Sequence, residues 1–131
     1  MDRYAKIKEK FPELFHKDFY FECGPGWADL IEVLCNELQD IGIREGFEFS
    51  KDEPLVNQVK EKFGTLRFYV SSATDAMYDA IEKFEKLSEE TCENCGKYGI
   101  LREIRRWYFT RCDACFKVMQ DEIMSRPLPL A

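Results

Sequence analysis

Four cysteines do more than any other residues in this chain to limit what it can fold into. Cys92, Cys95, Cys112 and Cys115 form a C-x2-C pair, a gap of 16 residues and a second C-x2-C pair. That spacing suits a structural zinc site. Two thiolates three positions apart can reach one ion from a tight turn, and Gly96 after the first pair permits such a turn. Two turns of this kind complete a tetrahedron with Zn–S bonds of about 2.3 Å. Disulfides are the alternative, but the opening MDRYAKIKEKF has no uninterrupted apolar signal segment. Stable disulfides belong to oxidising compartments, so the chain is expected to be cytoplasmic with its thiols free for metal. Four protein thiolates leave the ion no open position, which makes zinc a structural cofactor here. Four thiolates and one Zn²⁺ take the formal net charge from −6 to −8. A site of this kind supplies on the order of 10 kcal/mol, so the C-terminal third is expected to need metal to fold.

Between the pairs, ILREIRRWYFT suits a short hairpin turning around Glu103 to Arg106, and DACFKVMQDEIM after it has a helical pattern. Knuckle, hairpin and a helix carrying the second pair is the order found in treble-clef zinc fingers, and the segment resembles them in architecture. The chain is therefore divided into an α+β body over 1–91 and a four-cysteine zinc finger over 92–131 packed on it. The expected fold is a small antiparallel sheet packed with two or three helices, plus the treble-clef-like finger.

Within the body, Tyr4, Ile7, Phe11 and Phe15 are spaced for a short amphipathic helix over 3–11 that Pro12 ends. FYF at 19–21 suggests a strand running into the Gly24-Pro25-Gly26 turn. Trp27, Leu30, Ile31, Leu34, Leu38 and Ile41 form one helical stripe, with Gly42 placed as its C-terminal cap. FEF at 47–49 is a candidate strand, and SKDEP at 50–54 a loop. Ser72 or Thr74 can cap a further helix that runs to about Ser88 and buries Met77, Ile81, Phe84 and Leu87.

QVKEKFGTLRFYV, residues 58 to 70, changes phase in its middle. Apolar residues sit at the odd positions Val59 and Phe63, then at the even positions Leu66, Phe68 and Val70. A strand has a side-chain period of two, so a turn or bulge is required near Gly64. A hairpin with strands near 55–60 and 65–71 is favoured. Leu66, Phe68 and Val70 then face the core, and Arg67 and Tyr69 face outward beside Thr65.

Two surfaces are candidates for binding. Arg67 and Tyr69, supported by Lys60 and Lys62, could grip a phosphorylated small molecule or serve only as the polar face of a half-buried sheet. Arg102, Arg105 and Arg106 around Trp107 suit nucleic acid or a protein partner, or else ion pairing within the finger. The body carries 12 basic against 20 acidic residues and the finger 7 against 5. Nucleic acid would therefore have to be met by the finger or by a local patch. No catalytic residues are assigned. His16 is the only histidine, no nucleophile or phosphate-loop motif is present, and enzyme activity is not expected. Cys35 is placed in a helix core; Cys23 is left as a thiol that a helix N-terminus could activate. No apolar run approaches the roughly 18 residues of a membrane span.

CGPGW leading into a helix, QVKEKFGTLRFYV, TDAMYDAIEKFEKLS and TCENCG together resemble a group of small phage and prophage proteins. The similarity covers residues 20 to 115. It implies an accessory protein inside a bacterial host cell that blocks a host protein or sequesters a nucleotide signal. The expected function is thus non-enzymatic, zinc-stabilised binding of anti-defence type. A nucleic-acid module acting through the finger is one alternative, and a small hydrolase another.

Overall fold

The computed structural model describes residues 2–50 and 52–126. Lys51 in the 50–54 loop and the end of the 92–131 region lie outside them. The fold is α+β: helices α1 (Arg3–Lys10), α2 (Ala28–Glu45), α3 (Asp75–Ser88) and α4 (Asp113–Met124), with two antiparallel hairpins. The hairpins are β1 (Val56–Lys62) with β2 (Thr65–Val70), and β3 (Ile100–Ile104) with β4 (Trp107–Arg111).

α1 starts at Asp2, whose carboxylate accepts the Ala5 N–H, and stops at Phe11 before the proline. Ile7 of α1 enters the core, joined by Phe11 at the cap and by Phe15 from the turn that follows the helix. α2 carries the expected stripe, with Trp27, Ile31, Leu34, Cys35 and Leu38 all at 0% exposure. It runs a turn beyond Gly42 and ends at Gly46, whose φ of +67° makes it the left-handed cap. Gly42 instead lies under the Phe49 ring, which would stand 2.4 Å from a Cβ at that position. The residue is needed for packing rather than for termination.

Neither FYF nor FEF forms a strand. Phe19 and Phe21 stack with Tyr4 and Phe15 in a ring cluster over α1, and only Glu22 joins the sheet, as a parallel bridge to Lys60. Phe47 and Phe49 meet edge to face at 5.0 Å and lean on the core. In both stretches ring packing outcompetes the alternation pattern.

β1 and β2 are joined by Phe63 and Gly64, with φ of +53° and +84°. Both central residues at positive φ is the two-residue turn that matches strand twist. Val59 and Phe68 face the core as a pair, and Leu66 joins them at 0% exposure, while its opposite partner Glu61 turns its carboxylate to the Gly64 N–H. Gln58 with Tyr69, Lys60 with Arg67 and Lys62 with Thr65 share the opposite face. Thr65 is nonetheless buried, because the finger comes down on this end of the hairpin. α3 caps on Thr74, which accepts the Met77 N–H. Met77, Ala80, Ile81 and Phe84 are buried, but Leu87 is exposed and Ser88 takes its place inside. The Ser88 hydroxyl accepts the Leu66 N–H, a polar demand of the neighbouring strand that periodicity does not carry. Among the described residues, no helix is long and apolar enough to cross a membrane.

Candidate metal centre

The four sulphurs of Cys92, Cys95, Cys112 and Cys115 lie within 4.8 Å of one another. Local structure brings each there. Cys92 and Cys95 flank a turn closed by the Gly96 N–H bonding to the Cys92 carbonyl at 2.9 Å, with Gly96 at φ +85°. Cys112 is the N-cap of α4, its sulphur accepting the Cys115 N–H, and Cys115 follows in the first turn. The hairpin between the pairs turns at Arg105 and Arg106 and returns the second pair to the first.

Cys95 and Cys112 sulphurs stand 3.6 Å apart. This is far beyond a disulfide bond of about 2.05 Å and close to the tetrahedral edge of about 3.8 Å implied by metal–sulphur bonds near 2.3 Å. The donor set therefore fits a tetrahedral thiolate-bound ion. Burial opposes ionisation of Cys92, but the N–H groups of Cys112, Cys95 and Asn94 outweigh it and bring its thiol down to about 6. Cys112 is also lowered, chiefly by the Cys115 N–H. Cys95 receives the Lys97 N–H, yet its burial and the neighbouring sulphurs push it up to about 11. Cys92 and Cys112 thus ionise more easily than an ordinary thiol, and Cys95 resists until a cation relieves the repulsion. The Asn94 amide donates to Cys115 at 3.3 Å, the outer hydrogen bond that thiolate ligands usually receive.

The knuckle is also the joint with the body. The Gly26 N–H donates to the Glu93 carbonyl at 2.7 Å, and the Gly24 N–H to Glu93 Oε2 at 2.8 Å. Glu93 Oε1 pairs with Arg111 at 3.1 Å. A Cβ on Gly26 would lie 2.1 Å from the Cys92 carbonyl oxygen, so this backbone approach admits only glycine. Trp27 completes the joint, its indole N–H donating to the Thr91 carbonyl at 2.8 Å. From the other side, Thr110 donates its hydroxyl to the Gly64 carbonyl. Sequence reasoning found the glycines and missed what they touch; the signal was two of them beside a buried tryptophan. It also missed Glu93, which carries no signal of its own.

The remaining candidates are spread over two surfaces. Lys60, Lys62, Arg67 and Tyr69 lie on one face of the first hairpin, with Lys60 and Arg67 directly opposite. Arg67 donates to the Thr65 hydroxyl at 2.9 Å, and Lys62 sits over the Phe63 ring. In the finger, Arg102 faces inward: it pairs with Asp113, donates to the Arg111 carbonyl and covers the Phe116 ring. Arg105 and Arg106 stand at the hairpin tip, both exposed, and Trp107 beside them is 72% exposed. The Cys23 thiol is pushed up to about 11 by burial, even with Tyr4 hydrogen-bonded to it, which removes it as an activated nucleophile. Burial raises Cys35 as well. His16 is exposed beside a cleft under α1. No protein-family model matches the chain, nor does any curated protein or solved structure.

Proposed function

We propose that this is a non-enzymatic binding protein, with zinc as a structural ion, that grips a partner protein through the aromatic tips of its two hairpins. One observation carries the reading. Phe63 and Trp107 are 66% and 72% exposed, each beside a cation, and Gly64 of the first tip packs against Leu101, Tyr108 and Phe109 of the second hairpin. Exposed tryptophan, tyrosine and phenylalanine are the residues that anchor protein interfaces. Arg105, Arg106 and Arg126 are the finger arginines without an ion pair among the described residues, since Arg102 and Arg111 serve Asp113 and Glu93. That weakens the nucleic-acid alternative. The resemblance to phage proteins points to a bacterial host protein as the target.

Affinity purification from a bacterial host with mass spectrometry tests the reading, comparing the parent with a Phe63→Ala, Trp107→Ala variant. Capture of a protein that the variant loses supports it. Equal capture by both chains removes the tips from the mechanism. One zinc per chain by elemental analysis checks the metal.

A second reading is favoured by the Lys60–Arg67 pair. Like charges directly opposite on a strand pair repel, and neither has a carboxylate within 4.0 Å among the described residues. A phosphorylated ligand would relieve that repulsion. Calorimetry with nucleotides decides: heat lost on Arg67→Ala supports the site, and absence of heat from the parent ends it.

A further inference from the structure

The two hairpins present four strand edges, and three are covered. β1 is met by Glu22, whose N–H donates to the Val59 carbonyl and whose carbonyl accepts the Glu61 N–H. β2 is met by α3 side chains: Ser88 accepts the Leu66 N–H and Glu85 the Phe68 N–H. β4 is met by Glu93, whose N–H donates to the Thr110 carbonyl. Along β3, Leu101 and Glu103 have no backbone hydrogen bond of this outward kind among the described residues.

The register says which groups are free. Arg105 and Arg106, at φ of +52° and +71°, form a two-residue turn, so Ile104 and Trp107 close it as a hydrogen-bonded pair. Alternation then makes Arg102–Phe109 and Ile100–Arg111 the bonded pairs. The N–H and C=O groups of Leu101 and Glu103 point away from β4.

We propose that this edge is the seam of a homodimer, in which two copies pair antiparallel along β3 about a twofold axis at Arg102. The second copy is favoured over other occupants because the edge is complementary to itself. A twofold at Arg102 sets Leu101 against Glu103 of the second copy and the reverse. All four free groups on each side are then matched, and β4-β3-β3-β4 becomes one sheet.

The charges obey the same symmetry. Exposed Arg105 and Arg106 lie past one end of β3. Exposed Glu89 and Glu90 lie near the other, where the Gly99 N–H donates to the Glu90 carbonyl. None of the four is in an ion pair among the described residues. Antiparallel pairing brings the arginines of each copy to the glutamates of the other. Glu89 and Glu90 also follow the C-terminus of α3, where the helix dipole disfavours acids, and the two lysines that line the same cleft, Lys83 and Lys86, are paired with Glu37 and Glu82. Between them and the strand is a cleft of about 640 Å³ with Leu87, Tyr98, Ile100 and Leu101 on its walls, each exposed by 41% or more. Arg102 would face Arg102 of the second copy, but each is neutralised by its own Asp113. Four hydrogen bonds and a short seam make a reversible, concentration-dependent dimer.

Analytical ultracentrifugation of the metal-loaded chain tests this, with three variants checked for unchanged metal content. Arg105→Glu with Arg106→Glu, and separately Glu89→Lys with Glu90→Lys, should each weaken dimerisation more than about tenfold. Mixing the two should restore it, because both contacts are again of opposite sign. Glu103→Pro, which deletes an outward N–H that the fold does not use, should also give monomers. A parent that stays monomeric up to millimolar concentration overturns the proposal. So does a dimer indifferent to both charge sets, or a mixture of folded variants that fails to re-form it. The seam uses strand edges rather than tip aromatics, so a chain that dimerises yet captures no partner would separate the two proposals.

Discussion

At the scale of single residues, two glycines with opposite reasons for being glycine make a direct comparison. Gly46 holds φ of +67° with nothing within 4 Å of a would-be Cβ. Its constraint is backbone conformation alone, and Gly46→Ala should cost about 1 kcal/mol. Gly26 has an ordinary conformation but stands against the Cys92 and Glu93 backbone. Gly26→Ala should cost about 3 kcal/mol, because carbonyls of a metal knuckle cannot move aside as a side-chain end can. Urea midpoints of the two variants check the ranking, and a reversed order would mean that the knuckle yields. The Cys-x2-Cys spacing was legible at this scale because ligand geometry is local. The roles of Gly26 and Glu93 were not, since they depend on a chain segment about 70 positions away.

Elements were legible in proportion to how much of their environment they carry themselves. α2 and α3 write their buried face in their own periodicity, and the phase change at Gly64 gave the first hairpin. FYF and FEF failed because alternation shows that a strand is possible, while a strand also needs a neighbour. Leu87 and Ser88 exchanged places for a related reason: the edge of β2 needed a hydroxyl acceptor for the Leu66 N–H. Glu85 serves the same edge at a cost. Burial raises its carboxyl above the ordinary value of 4.5, against the Phe68 N–H and Arg67, which lower it. The folded chain thus keeps a proton where the unfolded chain has released it, so this group's contribution falls as pH rises through that window. Glu85→Gln keeps an acceptor for Phe68 without the buried charge. The variant should be more stable than the parent at pH 7, with the gain vanishing near pH 4. Urea denaturation at both values measures it, and a loss at pH 7 would mean that the Arg67 attraction dominates.

For the whole molecule, body and finger are joined through the metal knuckle, so metal should stabilise more than the finger. α4 has no buried residue among those described and is too short to persist alone. Chelation should therefore unfold it with the hairpin and loosen the Trp27 joint. A Trp107→Phe chain leaves Trp27, at 0% exposure, as the only fluorophore of its kind. Its emission should move to the red on chelation, together with a fall in helical circular dichroism. Helix loss with unmoved Trp27 emission would show the body standing without the finger.

The sequence by itself determined the metal-ligand set, the helices with one apolar face, the hairpin break at Gly64 and the order knuckle, hairpin, helix. Each follows from interactions within a few residues, where spacing and geometry are the same thing. Only the tertiary structure decided that a Gly-Pro-Gly turn seats on the knuckle, that Arg102 and Arg111 turn inward, and that Thr65 is covered. It alone left one strand edge of four without a backbone partner among the described residues. Those outcomes depend on which surfaces meet across the chain, and a linear pattern does not say which neighbour will satisfy a charge, a carbonyl or an edge.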